Sequence, residues 1–138
     1  MIHRQFEEVY PKIKSYSNEG NTALEELDFD YAEQCFQDAL GLIPEPKNEF
    51  SATAWLYAAL GDVYYQQDSY DAALDAFTQA YNASEGYHNP YIVYMLGKIY
   101  YELGVMNKAK EFLTMAYMVA GEDIFLDDDG KYLMIVDR

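Results

Sequence analysis

Few residues of this chain have the type and spacing that a reaction needs. Its one cysteine, Cys35, is the only thiol nucleophile and excludes an internal disulfide. It falls in the run Ala32, Cys35, Phe36, Ala39, the apolar stripe of a helix, where a thiol packs rather than attacks. The two histidines, His3 and His88, lie far apart, and neither has a partner at zinc-ligand spacing. Asp127–Asp128–Asp129–Gly130 has the composition of a calcium loop. A calcium loop needs alternating ligands with Gly sixth, and counting back from Gly130 puts Phe125 at the first ligand position. The three carboxylates are read instead as the acidic start of a short helix. No phosphate-cradling loop, dinucleotide turn or nucleophile elbow occurs. The expectation is a protein that is not an enzyme, with no metal, no cofactor and no small-molecule substrate.

The elements that position the remaining polar and aromatic groups repeat. Gly20, Ala32 and Ala39 are matched by Gly61, Ala73 and Ala80, and again by Gly97, Ala109 and Ala116. Each set steps 12 and then 7 residues. Phe36, Phe77 and Leu113 follow the first alanine of each set by four residues, and Leu60–Gly61–Tyr64 is matched by Leu96–Gly97–Tyr100. Gly or Ala lets two helices approach closely, and the large residues fill the space between successive pairs. The spacing predicts helix pairs over about 11–44, 51–85 and 90–121, with 122–138 as a C-terminal cap. Pro11 is placed in the first turn of a helix running to about Leu27, with Asp28–Phe29–Asp30 as the following turn. Pro44 and Pro46 stop the second helix, and Pro90 opens the third pair. With 138 residues, half of them hydrophobic, one domain with an ample core is expected.

This pattern resembles the tetratricopeptide repeat (TPR), about 34 residues of helix–turn–helix. The resemblance implies an all-α solenoid of three repeats that binds protein on a curved surface. In such a superhelix the first helix of each pair lines the concave side. If the glycines face the partner helix, offsets −6, −3, +1, +4 and +5 from each face away. That stripe is Lys14, Ser17, Asn21, Leu24 and Glu25, then Trp55, Ala58, Asp62, Tyr65 and Gln66, then Tyr91, Tyr94, Lys98, Tyr101 and Glu102. It carries the only Trp and four of 15 tyrosines, the residue types of which binding hot spots are made. The candidate partner-binding residues are therefore Asn21, Glu25, Trp55, Asp62, Tyr65, Gln66, Tyr91, Tyr94, Lys98, Tyr101 and Glu102. A chaperone-type clamp for a C-terminal carboxylate is not expected. Asn21 and Lys98 suit it, but Asp62 and Tyr94 stand where further donors are needed.

Charge narrows the partner. There are 24 acidic and 9 basic residues, a net charge of -15, and Ser15–Gly97 holds 14 acids against Lys47 alone. Such a surface repels phosphates and anionic membranes and steers basic proteins inward. No nucleic acid and no membrane is expected. No signal-peptide core and no membrane-length apolar run is visible, so a cytoplasmic protein is expected.

Finer motifs lie in Ile43–Pro44–Glu45–Pro46–Lys47, Ala54–Trp55–Leu56–Tyr57–Ala58–Ala59–Leu60–Gly61–Asp62, Asn89–Pro90–Tyr91 and Ala116–Tyr117–Met118–Val119–Ala120–Gly121–Glu122–Asp123–Ile124–Phe125. With Lys131–Tyr132–Leu133, these resemble the small bacterial TPR immunity proteins encoded beside Rhs-type polymorphic toxins. Gly130 departs from the proline expected before Lys131. The resemblance implies an antitoxin that binds and neutralises one cognate toxin, of unstated chemistry; blockade would come from occlusion of the toxin's active cleft or from holding it in an inactive shape. The alternatives are a general TPR adaptor or chaperone for a peptide or secretion component, and a regulator that mimics nucleic acid through its carboxylates.

Overall fold

The computed structural model describes residues 2–126 and 128–138, with side chains from Arg4 onward. Asp127 and the side chain of His3, both considered as ligands, lie outside the described residues. Helices pair in sequence order: α1 (Ile2–Glu25) with α2 (Phe29–Gly41), α3 (Ser51–Gln66) with α4 (Tyr70–Asn82), and α5 (Pro90–Glu102) with α6 (Met106–Ala120). Short 3-10 turns at Lys47–Glu49 and Gly86–His88 separate the pairs, and α2 and α4 pack on the next pair's first helix. Glu122–Phe125 and the one-turn α7 (Lys131–Met134) close the C-terminal end. No strand occurs among the described residues.

The repeated small residues have the packing role their spacing implies. A Cβ on Gly20 would meet the Phe36 ring at 2.8 Å, one on Gly61 the Phe77 ring at 2.6 Å, and one on Gly97 Leu113 at 2.6 Å. Phe36, Phe77 and Leu113 are fully buried, each pressed onto the bare backbone of the neighbouring helix. The link between paired helices also repeats. Leu27, Asp68 and Gly104, each seven residues after its glycine, hold left-handed backbone at φ +62°, +60° and +80°. The next amide then donates back to the first helix: Asp28 to Ala23 at 2.8 Å, Ser69 to Tyr64 at 2.9 Å, Val105 to Tyr100 at 2.9 Å. This 6→1 closure satisfies carbonyls that the helix end leaves open.

Three local expectations are corrected. Helix α1 begins at Ile2, so Pro11 lies inside it rather than in its first turn. Phe6 stacks on Phe50 with ring centroids 4.7 Å apart, which gives the segment before the proline an apolar face to bury. That burial outweighs the one helical hydrogen bond proline removes. The first turn comes earlier than Asp28–Phe29–Asp30: Asp28 caps α2, its carboxylate accepting from the Tyr31 amide at 3.3 Å. The cap is two short turns, and α7 starts at Lys131, beyond the aspartate run. Gly130 sits at φ +92°, which a proline ring held near −65° cannot adopt.

Candidate functional site

The predicted stripe divides in the structure. In the first pair Asn21 and Glu25 are exposed, while Ser17 is buried. In the second Trp55 is 37% exposed, Gln66 is exposed, Asp62 and Tyr65 are half-buried and Ala58 is buried. In the third only Tyr91, 43% exposed, stays open. Tyr94 and Lys98, expected on the free concave surface, are 4% and 9% exposed. Tyr101 and Glu102 are half-buried.

The C-terminal segment causes this difference. The Tyr94 hydroxyl donates to Asp128, and its ring meets Phe125 at 4.9 Å. Lys98 Nζ lies 3.2 Å from Asp128 Oδ2 and sits over the rings of Tyr65, Tyr94 and Tyr132 at 5.1, 5.0 and 5.5 Å. Tyr132 packs edge-on to Tyr101 at 5.1 Å, and Lys131 pairs with Glu102 at 3.0 Å. Four residues proposed to meet a partner thus already hold the cap. A sequence signal for this existed: α5 is apolar all round, so a lysine within it needs a carboxylate. The aspartate run supplies one, Asp128. Reading that run as a helix start obscured the pairing; of its described members only Asp129 serves α7, accepting from the Lys131 amide at 3.2 Å.

Six of the predicted residues do come together. Asp62, Tyr65, Gln66, Tyr91, Tyr94 and Lys98 line an open pocket of about 520 Å³ between α3, α5 and the C-terminal segment, which adds Asp123, Ile124 and Asp128. Asn21, Glu25, Trp55, Tyr101 and Glu102 are not among its walls. Asn89 sets the entry of α5, its side chain accepting from the Tyr91 amide at 2.9 Å with Pro90 in the first turn. Tyr91 is thereby aimed across at α3, and its hydroxyl donates to Asp62 Oδ1 at 2.6 Å. Burial raises the Asp62 carboxyl to about 6, against the opposing pull of the Tyr91 hydroxyl and Lys98. Burial raises the Tyr91, Tyr94 and Tyr65 phenols well above their ordinary value, with Asp62 adding to the first and Asp128 to the second. All three remain neutral hydrogen-bond donors near neutral pH. The pocket therefore offers carboxylates and ring faces, a cation-receiving chemistry. Among the described residues no group of three or more acids, histidines or cysteines is arranged to hold a metal.

Elsewhere the acid excess stays open. Lys47 Nζ donates to the Leu40 and Ile43 carbonyls at 2.9 and 2.7 Å, so the one base of the acid-rich stretch caps the end of α2. No helix among the described residues is long and apolar enough to cross a membrane.

Comparison with known proteins agrees with this geometry. The tetratricopeptide repeat family matches residues 12–86 and again 90–121. A TPR repeat-containing protein of Methanocaldococcus jannaschii is 32% identical over 124 residues, 87% of this chain and 20% of that protein. Protein bimA of Emericella nidulans is 30% identical over 97 residues, 70% of this chain and 11% of that protein. The crystal structure of MamA superposes with a TM-score of 0.69 at 19% identity, covering 89% of this chain and 67% of that one. The chain spans a fifth or less of the length of these two sequence relatives.

Proposed function

This chain belongs to the tetratricopeptide repeat family, a family of protein-binding modules, and from that premise we propose that it is an immunity protein for one basic toxin. The toxin docks on the open acidic part of the concave face, around Trp55, Asp62, Gln66 and Tyr91, and its working surface is occluded. The observation that supports this reading is that the C-terminal segment covers the third repeat's part of the predicted stripe. A groove shortened in this way leaves an extended peptide less surface to run along. Here Tyr94, Lys98, Tyr101 and Glu102 are engaged by the chain's own cap. A short open face with a large uncompensated negative charge suits a compact basic partner, which it also attracts quickly from a distance. The sequence motifs that resemble those of immunity proteins support the same reading.

Co-expression with the polypeptide encoded beside this gene is the test. The expected result is that the neighbour arrests growth, that this protein restores it, and that the two co-purify as a stable complex. A non-toxic neighbour with no complex would return the protein to the adaptor reading.

A further inference from the structure

We propose that the pocket between α3, α5 and the C-terminal segment receives one arginine side chain of a protein partner, with Asp62 meeting the guanidinium. This deepens the toxin reading, and rests on it only for the partner's being a basic protein.

The chain itself supplies the first argument. On the α5 side of this cavity Lys98 is already held as a cation by Asp128 and by the faces of Tyr65, Tyr94 and Tyr132. The walls are thus built for positive charge. The second argument is what the internal lysine leaves unmet. Asp62 on the α3 side accepts the Tyr91 hydroxyl at 2.6 Å, and no basic side chain among the described residues forms an ion pair with it. A carboxylate has about four lone-pair directions, so this half-buried one has room for a forked donor. Asp123 lines the same cavity and is exposed. The third argument is charge complementarity over a wider field, since Ser15–Gly97 holds 14 acids and its one base is committed to a helix end.

Arginine fits better than lysine. Its planar head stacks on the ring faces of Tyr65 and Tyr91, donates two parallel hydrogen bonds to a carboxylate and sheds water more readily than an ammonium. An anionic ligand would meet Asp62, Asp123 and Asp128, and the one cation in the walls, Lys98, is already paired with Asp128.

The probe is acetyl-arginine amide, titrated into the full chain and followed by amide and tyrosine ring NMR shifts. Acetyl-citrulline amide, its neutral isostere, is the control. The expected result is saturable shifts confined to Asp62, Tyr65, Tyr91 and their neighbours. Binding should be at least tenfold weaker for citrulline and for Asp62→Asn. Equal shifts with citrulline, shifts spread over the acidic surface, or an Asp62→Asn protein that folds and binds unchanged would overturn the pocket. The two readings fail separately. A toxin complex that forms while the arginine probe misses the pocket removes the pocket alone. A probe that binds while no toxin complex forms removes the immunity role alone.

Discussion

Two stretches of one predicted stripe, around α3 and around α5, have the same register and opposite fates. Trp55, Asp62 and Gln66 on α3 sit at the same offsets from Gly61 as Tyr91, Lys98 and Glu102 do from Gly97. The α3 group is open or half-open to solvent, with no internal ion pair among the described residues. Of the α5 group, only Tyr91 is still open; Lys98 and Glu102 are ion-paired to the C-terminal segment. Among the described residues, four of the five ion pairs lie at or beyond Lys98, where the bases are concentrated. The difference shows that repeat position sets where a side chain points. The next segment of the chain decides whether that direction is free. The stripe residues of α3 stay open or half-open, whereas those of α5 are partly consumed in fastening the C-terminal segment.

The comparison can be broken most severely through the scaffold both stretches share. Gly61→Leu puts a side chain where even a Cβ lies 2.6 Å from Phe77. A loss of about 3 kcal/mol or more is expected, read as a fall in Tm of roughly 10 °C. Gly41→Ala, with nothing within 4 Å, should leave Tm unchanged or slightly higher. Equal effects of the two would show that the register is wrong. Next comes the cap. Tyr132→Ala or Tyr94→Ala empties a buried ring site, and a loss of about 3 kcal/mol is expected by chemical denaturation, as for other buried aromatic truncations. Trp55→Ala sharpens the contrast from the other side. It should weaken the proposed toxin complex at least tenfold, about 1.4 kcal/mol, by calorimetry while Tm moves by only a few degrees. Should Trp55→Ala lower stability as much as Tyr94→Ala, the two stretches would not differ in the way described.

The scaffold was legible because its determinants are local and repeated. Glycine opposite phenylalanine or leucine at a fixed step fixes both the pairing and the face each helix presents. Tyr94 and Lys98 were misplaced because their surroundings depend on one non-local contact, Asp128 folding back across α5, which no periodicity encodes. The same holds for α1: Pro11 marks a helix start by local rules, and only the Phe6–Phe50 stack, 44 residues apart in sequence, explains the extra turns. The pocket lies between these cases. Its α3 and α5 walls follow from the repeat, whereas Asp123 and Asp128 come from an irregular segment between two glycines of positive φ, Gly121 and Gly130.

The smallest expected effect tests how far Asp62 is sheltered. Its carboxyl is raised from 3.8 to about 6 by burial, and the groups facing it are the Tyr91 hydroxyl, Lys98, Tyr65, Asp123 and Asp128. Between those two values the folded state holds more protons than the unfolded one, so this group makes stability fall as pH rises from about 4 to 6 and adds no slope above. Solvent on the open side of the pocket screens the effect, leaving about 1 kcal/mol. Other carboxylates of so acidic a chain titrate in the same range, so the informative quantity is the difference between wild type and Asp62→Asn. The variant should be about 1 kcal/mol more stable above pH 6, with the gap closing by pH 4. A guanidinium seated on Asp62 favours its ionised form, so wild-type binding of acetyl-arginine amide should strengthen from pH 5 to 7 with release of one proton. The residual binding of the variant should show no such gain. Parallel stability curves for the two proteins would mean that Asp62 is as well hydrated as Glu25 and Gln66. The cation preference of this face would then come from the summed charge of α1–α4, not from the pocket.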